Sequence, residues 1–263
     1  FPQTVEWPKN IQELGLYYLS MTRDPKRDVL YALLGDKIHI AAFDMTNGKL
    51  LDCQPAPLPY PYADHLEPRG AGFQQCRDLR VGADGQVYTF THSGQLMRYR
   101  PAEKKIELLD IRVPGGTGTL RNLPYAMITS PDHTKIYGNG SLSGNVFELT
   151  IVPGREPVLR DYGIPYCFAP QEATIHGITM GLDGIIYFIG SSRTNATFYS
   201  LDPKSGAFSY YGKIRFDNMG GAVPLKAWAA CTASDGTLWF GGDIHPAKTG
   251  DFLPSLSYFS IRV

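Results

Sequence analysis

The sequence predicts an all-β chain folded as a β-propeller of four-stranded blades, five of them visible, and three observations carry that expectation. A turn followed by an aromatic strand recurs along the chain, as Ala83-Asp84-Gly85-Gln86-Val87-Tyr88, Leu182-Asp183-Gly184-Ile185-Ile186-Tyr187 and Ser234-Asp235-Gly236-Thr237-Leu238-Trp239. Asp84, Asp132, Asp183 and Asp235 follow one another at intervals of 48, 51 and 52 residues, a period that suits one propeller blade. Composition agrees: 43% hydrophobic, 19% charged, 28 Gly, 20 Pro, 16 Tyr and 13 Phe describe short packed strands joined by tight turns.

Two looser copies complete the set. Pro131-Asp132-His133-Thr134-Lys135-Ile136-Tyr137 carries one extra turn residue, and Asp24-Pro25-Lys26-Arg27-Asp28-Val29-Leu30-Tyr31 is the first copy. After each comes a polar turn and a third strand, such as Ser93 to Tyr99 or Asn195 to Asp202. A Gly-containing turn then leads to an outer strand, as in Asp44-Met45-Thr46-Asn47-Gly48 and Asp202-Pro203-Lys204-Ser205-Gly206, because Asn, Asp and Gly tolerate positive φ. A lone four-stranded sheet cannot bury both faces, so the blades stack radially and the second-strand aromatic fills the space between sheets. Blades are expected at 14–54, 75–113, 124–163, 174–216 and 226–263, in one domain. Either five blades close the ring, with Thr4 to Trp7 adding an outer strand to the last sheet, or the chain is part of a six- or seven-bladed protein whose other blades lie outside this sequence, a second chain being one way to complete the propeller. The abrupt start at Phe1 and a last blade ending in its own outer strand, Ser257 to Arg262, favour the second.

Lys plus Arg and Asp plus Glu both number 25, so no net field draws in nucleic acid or an anionic membrane, and neither is an expected partner. No apolar stretch approaches the roughly 18 residues that span a bilayer. The N-terminal FPQTVEWPKN has no basic or apolar leader region. Asn195-Ala196-Thr197 is a glycosylation sequon, and a secreted or periplasmic location is expected. Cys53, Cys76, Cys167 and Cys231 form no CxxC pair and read mostly as buried thiols, with Cys53 and Cys76 placed to staple the irregular segment between them if the compartment is oxidising.

Innermost propeller strands surround a channel, and the loops entering them gather at one face. The entry positions are Arg77 and Asp78, Tyr125, His176 and Trp228, polar and aromatic types that differ from the aliphatic Leu79, Ile128 and Ile178 beyond them. Such a ring suits an acidic sugar: a planar fork for the carboxylate and aromatic faces for pyranose rings. His176 is placed to act as general base or acid, or to structure the channel mouth through hydrogen bonds. Tyr125 is placed to donate a proton or to pack a loop, and Arg77 to clamp substrate or to pair with Asp78. Gln54 to Gln75, rich in Pro and Tyr, carries His65, Glu67 and Arg69 and reads equally as a functional loop or a solvated excursion. Arg121, Asn122, Asp243 and His245 are weaker candidates. Gly115-Gly116-Thr117-Gly118 lacks the Lys-Ser or Lys-Thr of a phosphate loop, and no Gly-x-Ser-x-Gly, His-Glu-x-x-His or acidic calcium loop is present.

The Asp-Gly-x-x-Tyr-Phe units, with His176-Gly177-Ile178-Thr179 before one and Gln95-Leu96-Met97-Arg98-Tyr99 after another, resemble the lyase-type propellers that include streptogramin lyase and several polysaccharide lyases. The channel residues are most similar to propellers acting on uronic-acid polysaccharides, including the rhamnose-glucuronate lyases. This resemblance implies β-elimination on an acidic oligo- or polysaccharide. His176 would be the base, Tyr125 the acid and Arg77 the carboxylate clamp, with Trp228, Arg69, His65, Arg121 and His245 contacting substrate. A divalent cation such as calcium is the implied alternative to arginine at the carboxylate. Full members of that group have more blades than are visible here. Two other readings stand beside the lyase: a non-catalytic propeller binding glycan or protein, and a glycoside hydrolase on the same scaffold.

Overall fold

Why the repeated unit folds as a hairpin is visible in its turn. Asp84, Asp183 and Asp235 each accept the backbone N–H two residues on, from Gln86, Ile185 and Thr237. The next residue, Gly85, Gly184 or Gly236, takes positive φ. His133 takes that place in the third unit at φ 60°, with Thr134 as the extra residue. Tyr88 and Tyr187 donate back to Asp84 and Asp183 at 2.7 and 2.8 Å, tying the first residue of the turn to the strand that follows it.

The computed structural model describes residues 18–24, 26–34, 39–56, 77–116, 122–165, 174–191, 196–214, 223–245 and 256–261, with backbone alone at 18, 19, 174, 176, 191, 223–228, 243–245 and 256–261. These residues form five antiparallel sheets and no helix. Sheet one holds β1 (Tyr18–Asp24), β2 (Val29–Leu34), β3 (His39–Asp44) and β4 (Leu50–Pro55). Sheet two holds β5 (Leu79–Val81), β6 (Val87–Phe90), β7 (Gln95–Arg100) and β8 (Lys105–Arg112). Sheet three follows with β9 (Met127–Thr129), β10 (Lys135–Asn139), β11 (Val146–Thr150) and β12 (Val158–Gly163). Sheet four is β13 (Thr174–Met180), β14 (Ile186–Ser191), β15 (Ala196–Leu201) and β16 (Phe208–Lys213). Sheet five is β17 (Val223–Thr232), β18 (Leu238–His245) and β19 (Leu256–Ile261). Strands pair in chain order within every sheet. The first strands adjoin in succession, β1 to β5, β5 to β9, β9 to β13 and β13 to β17, which is the arrangement of a propeller around its axis.

The core is a series of wedges between consecutive sheets. Tyr31 of sheet one packs on Leu79, Val87 and Tyr99 of sheet two. Tyr88 meets Met127, Ile136 and Phe147 of sheet three, and Tyr137 meets Ile178 and Phe188 of sheet four. Tyr187 joins Leu238 and Phe240 of sheet five. Each tyrosine thus faces the next sheet, as the repeat predicts.

Sheet five departs from expectation in two ways. Ser257 to Arg262 is not an outer fourth strand: Leu256–Ile261 pairs with β18 as the third, after a long β17–β18 hairpin. Trp239, at the position of the buried tyrosines, is 43% exposed because no sheet packs on its face among the described residues. Thr4 to Trp7 lies outside the described residues. The cysteine expectations are corrected as well. Cys53 is a partly buried free thiol and Cys231 is exposed near the end of β17, so neither is the fully buried thiol expected, and the expected Cys53–Cys76 staple involves a residue outside the described ones. Cys76, Cys167 and Asn195 are outside the described residues.

Candidate functional site

The inner strands share one register, and that register locates the candidate residues. In each sheet the aromatic of the second strand pairs with one residue of the first: Thr22 with Tyr31, Arg80 with Tyr88, Ile128 with Tyr137, Thr179 with Tyr187 and Cys231 with Trp239. Three residues before that pairing partner stand Leu19, Arg77, Tyr125, His176 and Trp228. The four candidates therefore occupy one equivalent position, repeated around the axis at the entry end of the inner strands.

The backbone treats this position specially. In sheets one, four and five the ladder skips a residue between Tyr18 and Ser20, between Ile175 and Gly177, and between Ala227 and Ala229, which leaves out Leu19, His176 and Trp228; sheet five skips a second residue, Leu225, between Pro224 and Lys226. A bulge of this kind leaves one residue outside the pairing and re-aims the strand, and bulges gather beside active sites. In sheets two and three the ladders begin only at Leu79 and Met127, which leaves Arg77 and Tyr125 ahead of them.

Arg77 and Tyr125 meet across the wedge, with the guanidinium carbon 5.3 Å from the centre of the phenol ring. Both are partly buried, a setting in which such a cation–π contact is worth roughly 0.5–2 kcal/mol. Their approach is enforced from below by Asp78. Its buried carboxylate accepts Ser20 Oγ of β1 at 2.6 Å, Arg80 Nη1 at 2.6 Å, the Leu79 N–H at 2.9 Å and the Met127 N–H of β9 at 2.7 Å. Arg80 in turn donates Nε to the Met127 carbonyl at 2.8 Å. One carboxylate thus fastens the entries of three inner strands.

Asn122, a weaker sequence candidate, is a structural anchor. Its Oδ1 accepts the N–H groups of Leu142 and Ser143, its Nδ2 donates to the Pro114 carbonyl, and its own N–H donates to the His92 carbonyl. These bonds hold the segment that carries Tyr125 into β9. His245 and Asp243 lie within β18, opposite Val223 and Lys226. His65, Arg69 and Arg121 are outside the described residues. Sequence reasoning missed Arg80 and Ser20. An arginine two residues after Asp78 in an otherwise aliphatic inner strand was the available signal for the first.

The strongly perturbed groups lie elsewhere. Burial, followed by the hydrogen bond to Asp84 or Asp183, pushes the phenols of Tyr88 and Tyr187 far above the ordinary tyrosine range, so these are fixed donors of the turns. Among the described residues no cluster of three or more His, Cys, Asp and Glu gathers that would hold a metal ion, and the Asp78 carboxylate is already filled by four donors. The cation described beside Tyr125 is that of Arg77.

No family model and no curated protein sequence matches the chain. Solved structures do. Virginiamycin B lyase from Staphylococcus aureus is 15% identical, over 94% of this chain and 70% of that one, with a TM-score of 0.60. A catalytically inactive histidine-to-alanine variant of that lyase with quinupristin gives 16%, 94%, 71% and 0.60. A streptogramin B lyase gives 12% identity, 85% and 61% coverage and 0.59. At such identities the likeness shows the fold: this chain has the propeller architecture seen in those lyases.

Proposed function

We propose that this propeller is a lyase that breaks a C–O bond by β-elimination in a uronic-acid-containing glycan, working at the ring of equivalent strand entries. The observation that carries the reading is the Arg77–Tyr125 stack, which one shared register position links to His176 and Trp228. A cation, a phenol, an imidazole and an indole at one ring position supply the parts that elimination next to a carboxylate needs.

Arg77 holds the carboxylate and offsets the charge that builds on it as the neighbouring C–H is broken. His176 takes that proton, and the electron pair left on carbon forms the C=C bond as the C–O bond to the leaving sugar breaks. Tyr125 gives its phenolic proton to the departing oxygen, and the imidazolium proton later restores the phenol through solvent. Trp228 offers a ring face to the pyranose, and His65, Arg69, Arg121 and His245 are proposed as further substrate contacts. That propeller lyases share this architecture supports elimination, and the inactive histidine variant of one of them supports a histidine base.

The test is ultraviolet absorbance of the conjugated double bond during incubation with a panel of uronic-acid polysaccharides. The wild type is expected to generate the signal, with His176→Ala and Tyr125→Phe each losing about 10²–10⁴-fold in rate. Absence of the signal on every glycan removes the glycan reading. A second reading is favoured by the names of the structural neighbours: a streptogramin-type antibiotic as substrate. An intramolecular elimination would shift the antibiotic's chromatographic retention without changing its mass. Activity of that kind, lost in His176→Ala, keeps the chemistry and replaces the substrate.

A further inference from the structure

Four of the apolar clusters join two consecutive sheets, and each receives a second-strand tyrosine nearly closed to solvent: Tyr31 is 1% exposed, Tyr88 0%, Tyr137 2% and Tyr187 4%. Trp239 holds the same register position in sheet five and is 43% exposed. Cys231, its partner across the ladder, and Ala229, two residues back on the same face, are exposed with it.

A second opening lies at the outer edge of the same sheet. Tyr162 and Tyr211 hold one bulged position, each skipped by the ladder of its fourth strand. Tyr162 is partly buried and reaches the Pro203 carbonyl at 3.2 Å, in the turn between the third and fourth strands of the next sheet. Tyr211 is 49% exposed, because no fourth strand follows β19 among the described residues. Apolar surface left open at two places around one sheet marks an interaction site.

The occupant is defined by the interface that it would continue. Inside the molecule each tyrosine is met by aliphatic residues of the next sheet's first two strands, such as Leu79 and Val87 or Met127 and Ile136. The carbonyl one residue beyond the aromatic's ladder partner also takes a donor from that next sheet: Val81 O from His133 Nδ1 at 2.9 Å, and Met180 O from Thr232 Oγ1 at 2.7 Å. In sheet five the equivalent carbonyl is that of Thr232. A second copy of this chain would have to receive Trp239 on the corresponding face of its sheet one, where Ala32, Leu34, Ala41 and Phe43 are already only 0–5% exposed.

We infer that sheet five is an assembly face for a further four-stranded blade of the same repeat, carried on polypeptide outside these 263 residues and reached through a fourth strand laid along β19. That blade covers Trp239 and Cys231 with aliphatic residues of its first two strands and gives a donor to the Thr232 carbonyl. The strand on β19, with the turn that leads into it, covers Tyr211. The reading is independent of the reaction assigned to the ring of strand entries.

The test joins a copy of residues 101–165 after Arg262. The copy continues the chain in register, because Ile261 pairs with Leu238 as Tyr99 pairs with Val87. It brings a fourth strand and the face that receives Tyr88, with Met127, Ile136 and Phe147. Alkylation of Cys231 by iodoacetamide, followed by peptide mapping, should slow at least about tenfold in the extended chain, and Trp239→Asp should restore the rate. In the unextended chain Trp239→Asp should move the melting temperature by no more than about 2 °C, the scale of a surface substitution. A fall of more than about 5 °C would place Trp239 in the core of this chain and overturn the proposal whether or not the extension folds. Equal alkylation in the two chains also overturns it. Protection of Cys231 that grows with the concentration of the unextended chain overturns it in favour of a second copy.

Discussion

Replacing Asp78 by alanine is the sharpest test of how the entry ring is held. The carboxylate accepts four donors from three sheets, and its side chain is 7% exposed, so the donors left behind are not freely rehydrated. Removing one partner of a buried ion pair costs about 3–5 kcal/mol. Arg80 keeps two carbonyl acceptors, Met127 O through Nε and Leu79 O through Nη1, which puts the expected loss at the low end, about 3 kcal/mol. Asp78→Asn retains shape and one acceptor while turning an N–H₂ toward existing donors, so about 2 kcal/mol is expected. Urea denaturation with an unchanged slope should report these losses, and for a chain of this size the alanine variant should melt about 6–12 °C lower. A loss below about 1 kcal/mol in Asp78→Ala would refute the claim that this carboxylate fastens β1, β5 and β9 together.

Two other outcomes follow from the turns. Gly85→Ala should cost about 2 kcal/mol against about 1 for Gly184→Ala, because both need positive φ, but only at Gly85 does the new methyl displace the Arg27 guanidinium from its 2.6 Å bond to the Gly85 carbonyl; equal losses in denaturant would contradict this. The Ser130 hydroxyl, with the Thr134 N–H and hydroxyl, lowers the Asp132 carboxyl from 3.8 to about 2. A carboxyl whose folded value lies below its unfolded one stabilises the fold above about pH 4, and that contribution is lost as pH falls toward 2. Asp132→Asn should therefore flatten the acid limb of the melting curve, and an unchanged limb would show that Asp132 contributes nothing to it.

Fold class was legible because the turn chemistry is local. Asp84, Asp183 and Asp235 close their turns with neighbours two residues away, and the following glycine or His133 supplies the positive φ, so each blade announces itself within six residues. Membership of the entry ring was legible for the same reason, since counting along an inner strand needs no tertiary knowledge. What could not be read were long-range commitments. The Asp78 carboxylate is taken up by Ser20, 58 residues earlier, by the Met127 N–H, 49 residues later, and by Arg80, partners that no local pattern encodes. Trp239 reads as a wedge filler, and whether such a residue is buried depends on a neighbouring sheet that no local pattern encodes. The order of strands in the last sheet was misread because the 246–255 segment separates β18 from its true partner, so the expected turn spacing fails there.

One register position does the gathering, and this explains why chemistry accumulates there. A residue paired in the ladder has its direction set by the alternation of the strand, and substituting it disturbs a wedge on one side or the other. A residue skipped by a bulge, as His176 and Trp228 are, or held ahead of the ladder, as Arg77 and Tyr125 are, escapes that constraint while its neighbours stay locked. The fold thus repeats, at one end of the inner strands, a position in each blade that the ladder does not constrain. In sheet one an aliphatic residue, Leu19, occupies it. Arg, Tyr, His and Trp at the other four are therefore not demanded by the ladder of the repeat, which is the physical reason to look for function at this ring first.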